Sequence, residues 1–182
     1  MQKQEDFSHL DNSIRRQLTL FVKPRHAETI ELVRKQFNPK QFELIRAHVT
    51  LCREDEIQNI EKVIENLHFL KEDEISIEFG PVKMFEKGKG VLLPAGPDNK
   101  EFQELRNKVL RGITDNPRHY EPHITLMHPR NSTCAPELFE EIEKIKFPKK
   151  LSFNRITLIE QKNGGVWNTL QEFALNSNNK IN

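Results

Sequence analysis

Cysteine is scarce in this chain, and the features that would place it outside the cell or in a membrane are missing. Only Cys52 and Cys134 occur among the 182 residues, and they form neither a C-x-x-C pair nor a disulfide framework. The N-terminal residues MQKQEDFSHLDNS contain no apolar signal core, and no apolar run approaches the length that spans a bilayer. We therefore expect a cytoplasmic protein without a membrane anchor.

An excess of charge of one sign is also missing. The 28 lysines and arginines nearly balance the 27 aspartates and glutamates. Long-range attraction is therefore not expected to be the main way of holding a polyanion, although a local basic site for one phosphate stays open. The seven histidines and two cysteines show no H-E-x-x-H or C-x-x-C spacing, so we expect no metal and no cofactor.

Strand and helix patterns alternate between a polar arm at residues 1–14 and a polar tail at residues 177–182. Alternating, β-rich runs predict strands over 17–22, 42–52, 76–85, 91–93, 119–127, 151–159 and 167–175. Apolar residues at helical spacing predict helices over 27–37, over 54–70, around Phe102–Val109 behind a capping-box spacing of Asp98 and Glu101, and from Pro136 onward. Because the order of elements restarts halfway, we expect one α+β domain over residues 15–176, built from a diverged internal duplication.

One four-residue pattern occurs twice on predicted strands. Residues 48–51 read HVTL, and residues 123–126 read HITL, 75 positions later. Since side chains alternate along a strand, His48 and Thr50 share one face, and the second copy alternates in the same way. If an approximate two-fold axis relates the halves, the two polar pairs face each other across a groove.

The doubled pattern favours a functional site over a structural one. A lone histidine on a strand is usually a satisfied core or rim residue, and threonine is common in strands, but both copies lie at corresponding places of a repeat. One imidazole can act as base while the other, protonated, acts as acid. Hydroxyls can donate to non-bridging phosphate oxygens, so the set suits phosphoester chemistry without a metal. The candidate catalytic residues are His48, His123, Thr50 and Thr125.

The two motifs and the strand–helix order around them resemble the two-histidine (2H) phosphoesterase superfamily over residues 16–175. That group includes 2′-5′ RNA ligase-like proteins and cyclic nucleotide phosphodiesterases. The resemblance implies a bilobal fold with pseudo-two-fold symmetry, each lobe an antiparallel sheet with helices on its outer face, around a central cleft. It further implies that His48 and His123 form the acid–base pair and that the two threonines hold the phosphate. We prefer His123 as base and His48 as acid, although the pseudo-symmetry makes both orders geometrically plausible.

Three further residues are candidates for substrate binding. Tyr120, the only tyrosine, could stack on a base or bind a phosphate, or pack at a rim. Arg130 could pair with a phosphate through its planar fork, or lie in a solvated loop. Arg46 precedes His48 by two positions and shares its face if the strand is regular.

Four other features are weaker candidates. His128 lies five residues after His123, which predicts the opposite face, and His119 is a possible rim residue. Trp167 is interpreted as a packing residue on a late strand. The loop 86–90 (EKGKG) could close over an anion, but most such loops are exposed hairpin tips.

Three functions remain open. The leading hypothesis is a monomeric phosphodiesterase that hydrolyses 2′,3′-cyclic phosphates of nucleotides or RNA ends. The second is a 2′-5′ RNA ligase or nuclease acting on RNA termini, for which the near-neutral charge disfavours a long footprint. The third is a nucleotide- or RNA-binding module without turnover, against which the intact histidines and threonines of both motifs argue.

Overall fold

The structure is a computed structural model that describes residues 13–85 and 88–176. Most of the predicted arm, the predicted tail at 177–182, and Glu86 and Lys87 of the hairpin loop lie outside the described residues. None of the helices in the described part is long and apolar enough to cross a membrane.

Nine strands and five helices form within these residues. The strands are β1 (Ile14–Phe21), β2 (His48–Cys52), β3 (Ile75–Glu78), β4 (Lys83–Met84), β5 (Val91–Pro94), β6 (His123–Met127), β7 (Lys150–Phe153), β8 (Arg155–Lys162) and β9 (Trp167–Ala174). The helices are α1 (Pro24–Phe37), α2 (Pro39–Leu44), α3 (Ile60–Phe69), α4 (Lys100–Val109) and α5 (Pro136–Glu143).

The strands form a seven-stranded antiparallel sheet and a two-stranded one. The larger sheet has the order β4-β5-β6-β2-β1-β8-β9, and the smaller one pairs β3 with β7. If β1 is exchanged with β5, β2 with β6 and β8 with β4, the order of these six strands reads the same from the opposite edge of the sheet. The motif strands β2 and β6 are neighbours at the centre, where Val49 pairs with Ile124.

The two lobes also share a pairing irregularity. In the first lobe Leu18 pairs with Cys52, and the register shifts before Thr19 pairs with Thr50. In the second lobe the register shifts in the same way directly after Val91, which pairs with Met127. A shared register, including its irregularity, is what a duplicated unit predicts, and the structure has the α+β, antiparallel, pseudo-symmetric architecture expected from the sequence.

The lobes interlock, which the linear order of elements does not reveal. The first half of the chain contains β1 to β4, and the second half contains β5 to β9. Strands β8 and β9 of the second half extend the sheet next to β1, while β4 of the first half pairs with β5. The helices cross over as well: α1 packs against β6, and α4 packs against β2 and β3. Each motif strand is therefore supported by a helix from the other half.

Burial decides which face of each motif strand opens outward. Val49 and Leu51 of β2 and Ile124 and Leu126 of β6 are fully buried in one core with side chains of α1 and α4. The alternate positions, which carry the histidines and threonines, are only partly buried. Apolar burial on one face thus fixes the polar face toward solvent.

Several local predictions of elements were wrong. The predicted strands 76–85 and 151–159 are each two strands that lie in different sheets, and the helix predicted from residue 54 begins at Ile60. Residues 42–44 belong to α2, which Pro39 opens, and β2 begins only at His48. Strand β6 begins at His123 rather than at residue 119. The capping box is absent: Asn99 is the N-cap of α4 without a side-chain bond, and the carboxylate of Glu101 instead accepts from the Ser76 amide at 3.0 Å.

Candidate active site

The two H-x-T segments open onto one cleft with a volume of about 740 Å³. His48, Thr50, His123 and Thr125 all line it. Direct pairing of β2 with β6 brings the four side chains together, because residues next to a paired position alternate to the same face of the sheet. The predicted juxtaposition of the two polar pairs is therefore present.

Each histidine ring is held in one tautomer by its own backbone. His48 Nδ1 lies 2.7 Å from the carbonyl oxygen of Arg46, and His123 Nδ1 lies 3.0 Å from that of Glu121. A carbonyl oxygen only accepts hydrogen bonds, so Nδ1 carries the hydrogen in both rings. Nε2 is then the atom that exchanges protons with a ligand.

Aromatic side chains fix the planes of both rings. Phe21 meets His48 edge-on at 6.0 Å between centroids, and Phe85 meets His123 edge-on at 5.8 Å. Tyr120 stacks on His123 at 6.1 Å and lines the cleft, while the Arg106 guanidinium lies 5.1 Å from the Tyr120 centroid. The predicted candidate Tyr120 is thus in the cleft, directly beside one of the two imidazoles.

Burial lowers the pKa of both motif histidines. The pKa of His48 falls to about 4, mainly through desolvation, and the positive charge of Arg34 adds to this while the Nδ1 hydrogen bond opposes it. The pKa of His123 is lowered by desolvation and, to a smaller extent, by Arg53. Both imidazoles are therefore predominantly neutral at pH 7 when the cleft is empty. A bound phosphate anion acts in the opposite direction and favours protonation.

The wall of the cleft is cationic. The basic residues that line it are Arg15, Arg34, Lys40, Arg53 and Arg130, and none of the described lining residues is acidic. Arg34 is buried and committed to the fold, since it pairs with Glu31 at 2.5 Å and donates to the Ile45 carbonyl at 2.7 Å. Among the described residues no group of three or more histidine, cysteine or acidic side chains could hold a metal ion.

The structure separates the predicted arginines. Arg130 lines the cleft, and its binding of substrate stays a prediction. Arg46 does not: its guanidinium lies 4.4 Å from the Phe21 centroid and borders a different depression. Arg46 precedes β2, and although burial alternates through Arg46, Ala47 and His48, its side chain extends over Phe21 instead of lining the cleft. His119, outside β6 in the same way, is exposed and pairs with Glu121 at 2.9 Å.

His128 and Trp167 lie in the cleft, contrary to the expectation from sequence. His128 follows the last residue of β6, so counting alternate positions from His123 gives the wrong face. Its backbone N–H donates to Asn38 Oδ1 at 2.8 Å, and burial together with Arg130 lowers its pKa to about 4. Trp167 lies at the far end of the cleft, where the guanidinium of Arg15 is 5.5 Å from its ring centroid.

The repeat itself contained a signal for two of the missed residues. An offset of 75 positions, which relates the motif histidines, also relates Arg53 to His128, and both line the cleft just after a motif strand. Alternation along β1 would likewise have grouped Arg15 with Gln17, which both line the cleft. Lys40 and Asn131 come from loop and helix positions without a comparable pattern.

Comparison with known proteins agrees with this architecture. The family model of the 2′-5′ RNA ligase superfamily matches residues 22–165. No curated protein sequence matches the chain significantly. The crystal structure of E. coli LigT complexed with phosphate is 15% identical, with a TM-score of 0.63 over 89% of this chain and 97% of that one. The complex of the same protein with 3′-AMP gives 16% identity and a TM-score of 0.62 over 89% and 98%. TT0787 of Thermus thermophilus gives 14% and 0.62 over 90% and 99%.

Proposed function

The chain belongs to the 2′-5′ RNA ligase superfamily, within the two-histidine phosphoesterases, and from that premise we propose that it hydrolyses 2′,3′-cyclic phosphates of nucleotides or RNA ends. One observation carries the proposal. Two imidazoles with the same Nδ1–carbonyl contact, His48 and His123, open onto a single cationic cleft together with two threonine hydroxyls. This set supplies an acid, a base and phosphate donors without any further group.

The reaction balances with these residues alone. Nε2 of one histidine takes a proton from water as the water oxygen attacks phosphorus. Nε2–H of the other histidine gives its proton to the ribose oxygen as the P–O bond of the ring breaks. The Thr50 and Thr125 hydroxyls donate to the non-bridging oxygens, where negative charge accumulates. The product is a nucleoside monophosphate or an RNA end with a 2′- or 3′-phosphate.

The histidine that acts as acid becomes protonated when the substrate binds. Both histidines are predominantly neutral in the empty cleft, because burial lowers the pKa of each. The phosphodiester anion raises these pKa values when it binds, so that one imidazole gains a proton from solvent. Both Nε2 atoms reach the cleft from equivalent strands. The orientation of the bound cyclic phosphate therefore decides which histidine acts as acid and which as base.

A nucleotide ligand agrees with the solved relatives. E. coli LigT has been crystallised with phosphate and with 3′-AMP. A 3′-monophosphate is one of the two products that opening a 2′,3′-cyclic phosphate can give. Combined with the cationic wall of Arg53, Lys40 and Arg130, this supports a nucleotide phosphate as the ligand here.

We further propose that the protein acts in the cytoplasm and as a monomer. Both cysteines are free and buried.

A 2′-5′ RNA ligase or nuclease is the second candidate function. It is favoured by the description of the matching family, which names ligation. The same acid and base would serve if a ribose hydroxyl took the place of water as the attacking group.

The test is an assay of purified protein in EDTA. Wild type, His48→Ala and His123→Ala are incubated with the four nucleoside 2′,3′-cyclic monophosphates and with a short RNA that ends in a 2′,3′-cyclic phosphate. We expect EDTA-resistant hydrolysis that falls by orders of magnitude in both variants, while binding persists. The 2′- and 3′-products are resolved to identify the leaving oxygen. Joining or cleavage of 2′-5′ linkages without cyclic phosphate hydrolysis would favour the second candidate, and binding without turnover on any substrate would overturn both.

A further inference from the structure

The pseudo-symmetry of the cleft breaks at one end. By the shared register, Leu18 corresponds to Val91, so Arg15 and Gln17 of β1 correspond to Gly88 and Gly90, which precede β5. The first lobe therefore carries two long polar side chains where the second lobe has none. The motif histidines and threonines are present in both lobes, so this extension serves something other than the symmetric phosphate site.

The extension continues as one row across three strands. Arg15 of β1 pairs in register with Gln161 of β8, and Gln161 pairs with Trp167 of β9. Arg15 Nη1 donates to Gln161 Oε1 at 3.2 Å, and Gln161 Nε2 donates to the Gly165 carbonyl at 2.8 Å. Gln161 is 95% buried, with 5% of its surface exposed. Its amide thus fixes both the arginine and the turn that leads into Trp167.

The charge at this row does not suit a phosphate. Arg15 Nε pairs with Glu54 Oε2 at 2.6 Å, which offsets the charge of the guanidinium. The same guanidinium lies 5.5 Å from the centroid of the Trp167 ring and holds its plane. Trp167 is half-buried and lines the cleft. A fixed indole that borders a phosphate cleft offers a stacking surface for a nucleobase.

The row is too far from the reacting phosphate to contact the nucleotide that carries it. Arg15 lies four residues along β1 from Thr19, the partner of Thr50, which is roughly 13 Å at the usual rise per strand residue. Trp167 lies three strands across from Thr50, which adds about 14 Å of sheet width. A ribose phosphate and its own base are closer together than this, so the indole fits the base of a neighbouring nucleotide.

We propose, on the basis of the proposed function, that Arg15, Gln161 and Trp167 form a second subsite that stacks a base at least one nucleotide away from the cyclic phosphate. The protein then acts on the ends of RNA oligonucleotides in preference to mononucleotides. Trp167 makes the contact with the base, while Arg15 and Gln161 position the indole.

Trp167 is the only tryptophan of the chain, so its fluorescence reports on the subsite directly. Wild-type protein is titrated with 3′-AMP and with a tetra-adenylate bearing a 3′-phosphate, and calorimetry records when each is bound. We expect the tetranucleotide to change the fluorescence saturably and bound 3′-AMP to leave it unchanged. Equal changes with both ligands, or no change with bound tetranucleotide, would overturn the proposal.

Kinetics supply a second measurement. Two values of kcat/KM are compared, one for a tetranucleotide 2′,3′-cyclic phosphate and one for 2′,3′-cyclic AMP. Their ratio should be lower in Trp167→Leu than in wild type by a factor of about 5 to 100. Trp167→Phe should restore most of it. The matched control is Leu170→Ala, an exposed residue of the same strand, which should keep the wild-type ratio. An unchanged ratio in Trp167→Leu would contradict the subsite. If neither substrate is hydrolysed but only the tetranucleotide changes the fluorescence, the proposed hydrolysis fails and the subsite stands.

Discussion

Proton occupancy of two imidazoles controls the chemistry at the residue scale. His48 and His123 each use Nδ1 to hold a backbone carbonyl, which leaves Nε2 for the ligand. Burial lowers the pKa of both, so in the empty cleft each of the two motif imidazoles is predominantly a neutral base at pH 7. Binding of an anion must therefore be accompanied by uptake of a proton from solvent.

Thermodynamic linkage between anion binding and histidine protonation predicts proton uptake when an anion binds. The pKa of His48 is about 4 in the free cleft, and an anion raises it, so the complex binds more protons than the free protein. Affinity for sulfate, whose charge is constant in this range, should therefore rise as the pH falls from 8 toward the free pKa of about 4. Calorimetry in two buffers of different ionisation enthalpy measures the uptake.

Two variants control for this measurement. His119→Gln, which changes an exposed histidine outside the cleft, should retain the uptake. A double change of His48→Gln and His123→Gln should reduce it, with the remainder coming from His128, which lines the same cleft and whose pKa is also lowered to about 4. Equal uptake by the double variant and the wild type would refute the assignment of the titrating groups.

Helices from the opposite half stabilise the motif strands at the element scale. Arg106 of α4 is buried, donates to the Leu51 carbonyl of β2, and pairs with Glu56 at 2.6 Å. It also supports Tyr120, which stacks on His123. One buried guanidinium thus connects a helix of the second half to the motif strand of the first.

Arg106→Ala should lower the free energy of unfolding by about 3 kcal/mol, because the buried Leu51 carbonyl would lose its donor and Glu56 would keep only Arg118 and the Arg53 amide as partners. Chemical denaturation measures the change. Lys108→Ala on the same helix removes a more exposed pair with Glu72 and should cost at most about 1 kcal/mol. Equal losses in the two variants would show that burial of the Arg106 pair is not what matters.

Gly90 sets the distance between β5 and β6. Its φ is +97°, and an added Cβ would lie 2.2 Å from the Met127 carbonyl oxygen. Gly90→Ala should destabilise the protein by roughly 2–5 kcal/mol through backbone strain and a main-chain clash. Gly88 has a φ of +65°, but nothing lies within 4 Å of an added Cβ. Gly88→Ala should therefore lower the free energy of unfolding by only about 1–2 kcal/mol. Thermal unfolding of both variants decides whether the clash adds to the strain.

The sequence predicts strand interiors better than strand ends. Alternation within β2 and β6 correctly placed the histidines and threonines of both motifs on one face. The same rule failed for His128, because it holds only inside a strand and His128 lies just beyond the end of β6. Pairing of Arg15 with Gln161 was not predictable, since no local pattern relates residues so distant in sequence.

Interlocking of the two halves is the main feature at the scale of the whole molecule. Strand β8 pairs with β1, β4 pairs with β5, and β3 pairs with β7, so each of these three pairings joins the halves. Each structural lobe therefore contains strands from both halves of the sequence. We propose that residues 15–176 fold as one unit for this reason.

That proposal predicts a single cooperative unfolding transition. Fluorescence of Trp167 reports on the lobe that contains β9, and far-ultraviolet circular dichroism reports on all helices and strands. The two signals should give coincident midpoints in urea. Two separated midpoints would mean that the lobes unfold independently despite their exchanged strands.

The central claim is that one histidine acts as acid and the other as base on the same phosphate. It is tested most directly with 2′,3′-cyclic phosphates in which the bridging oxygen that leaves is replaced by sulfur, because a thiolate departs without a proton. We predict that one of His48→Ala and His123→Ala recovers most of the wild-type rate on this substrate while the other stays impaired by orders of magnitude. If both variants were rescued equally, or neither, the division of the two histidines into acid and base would be contradicted.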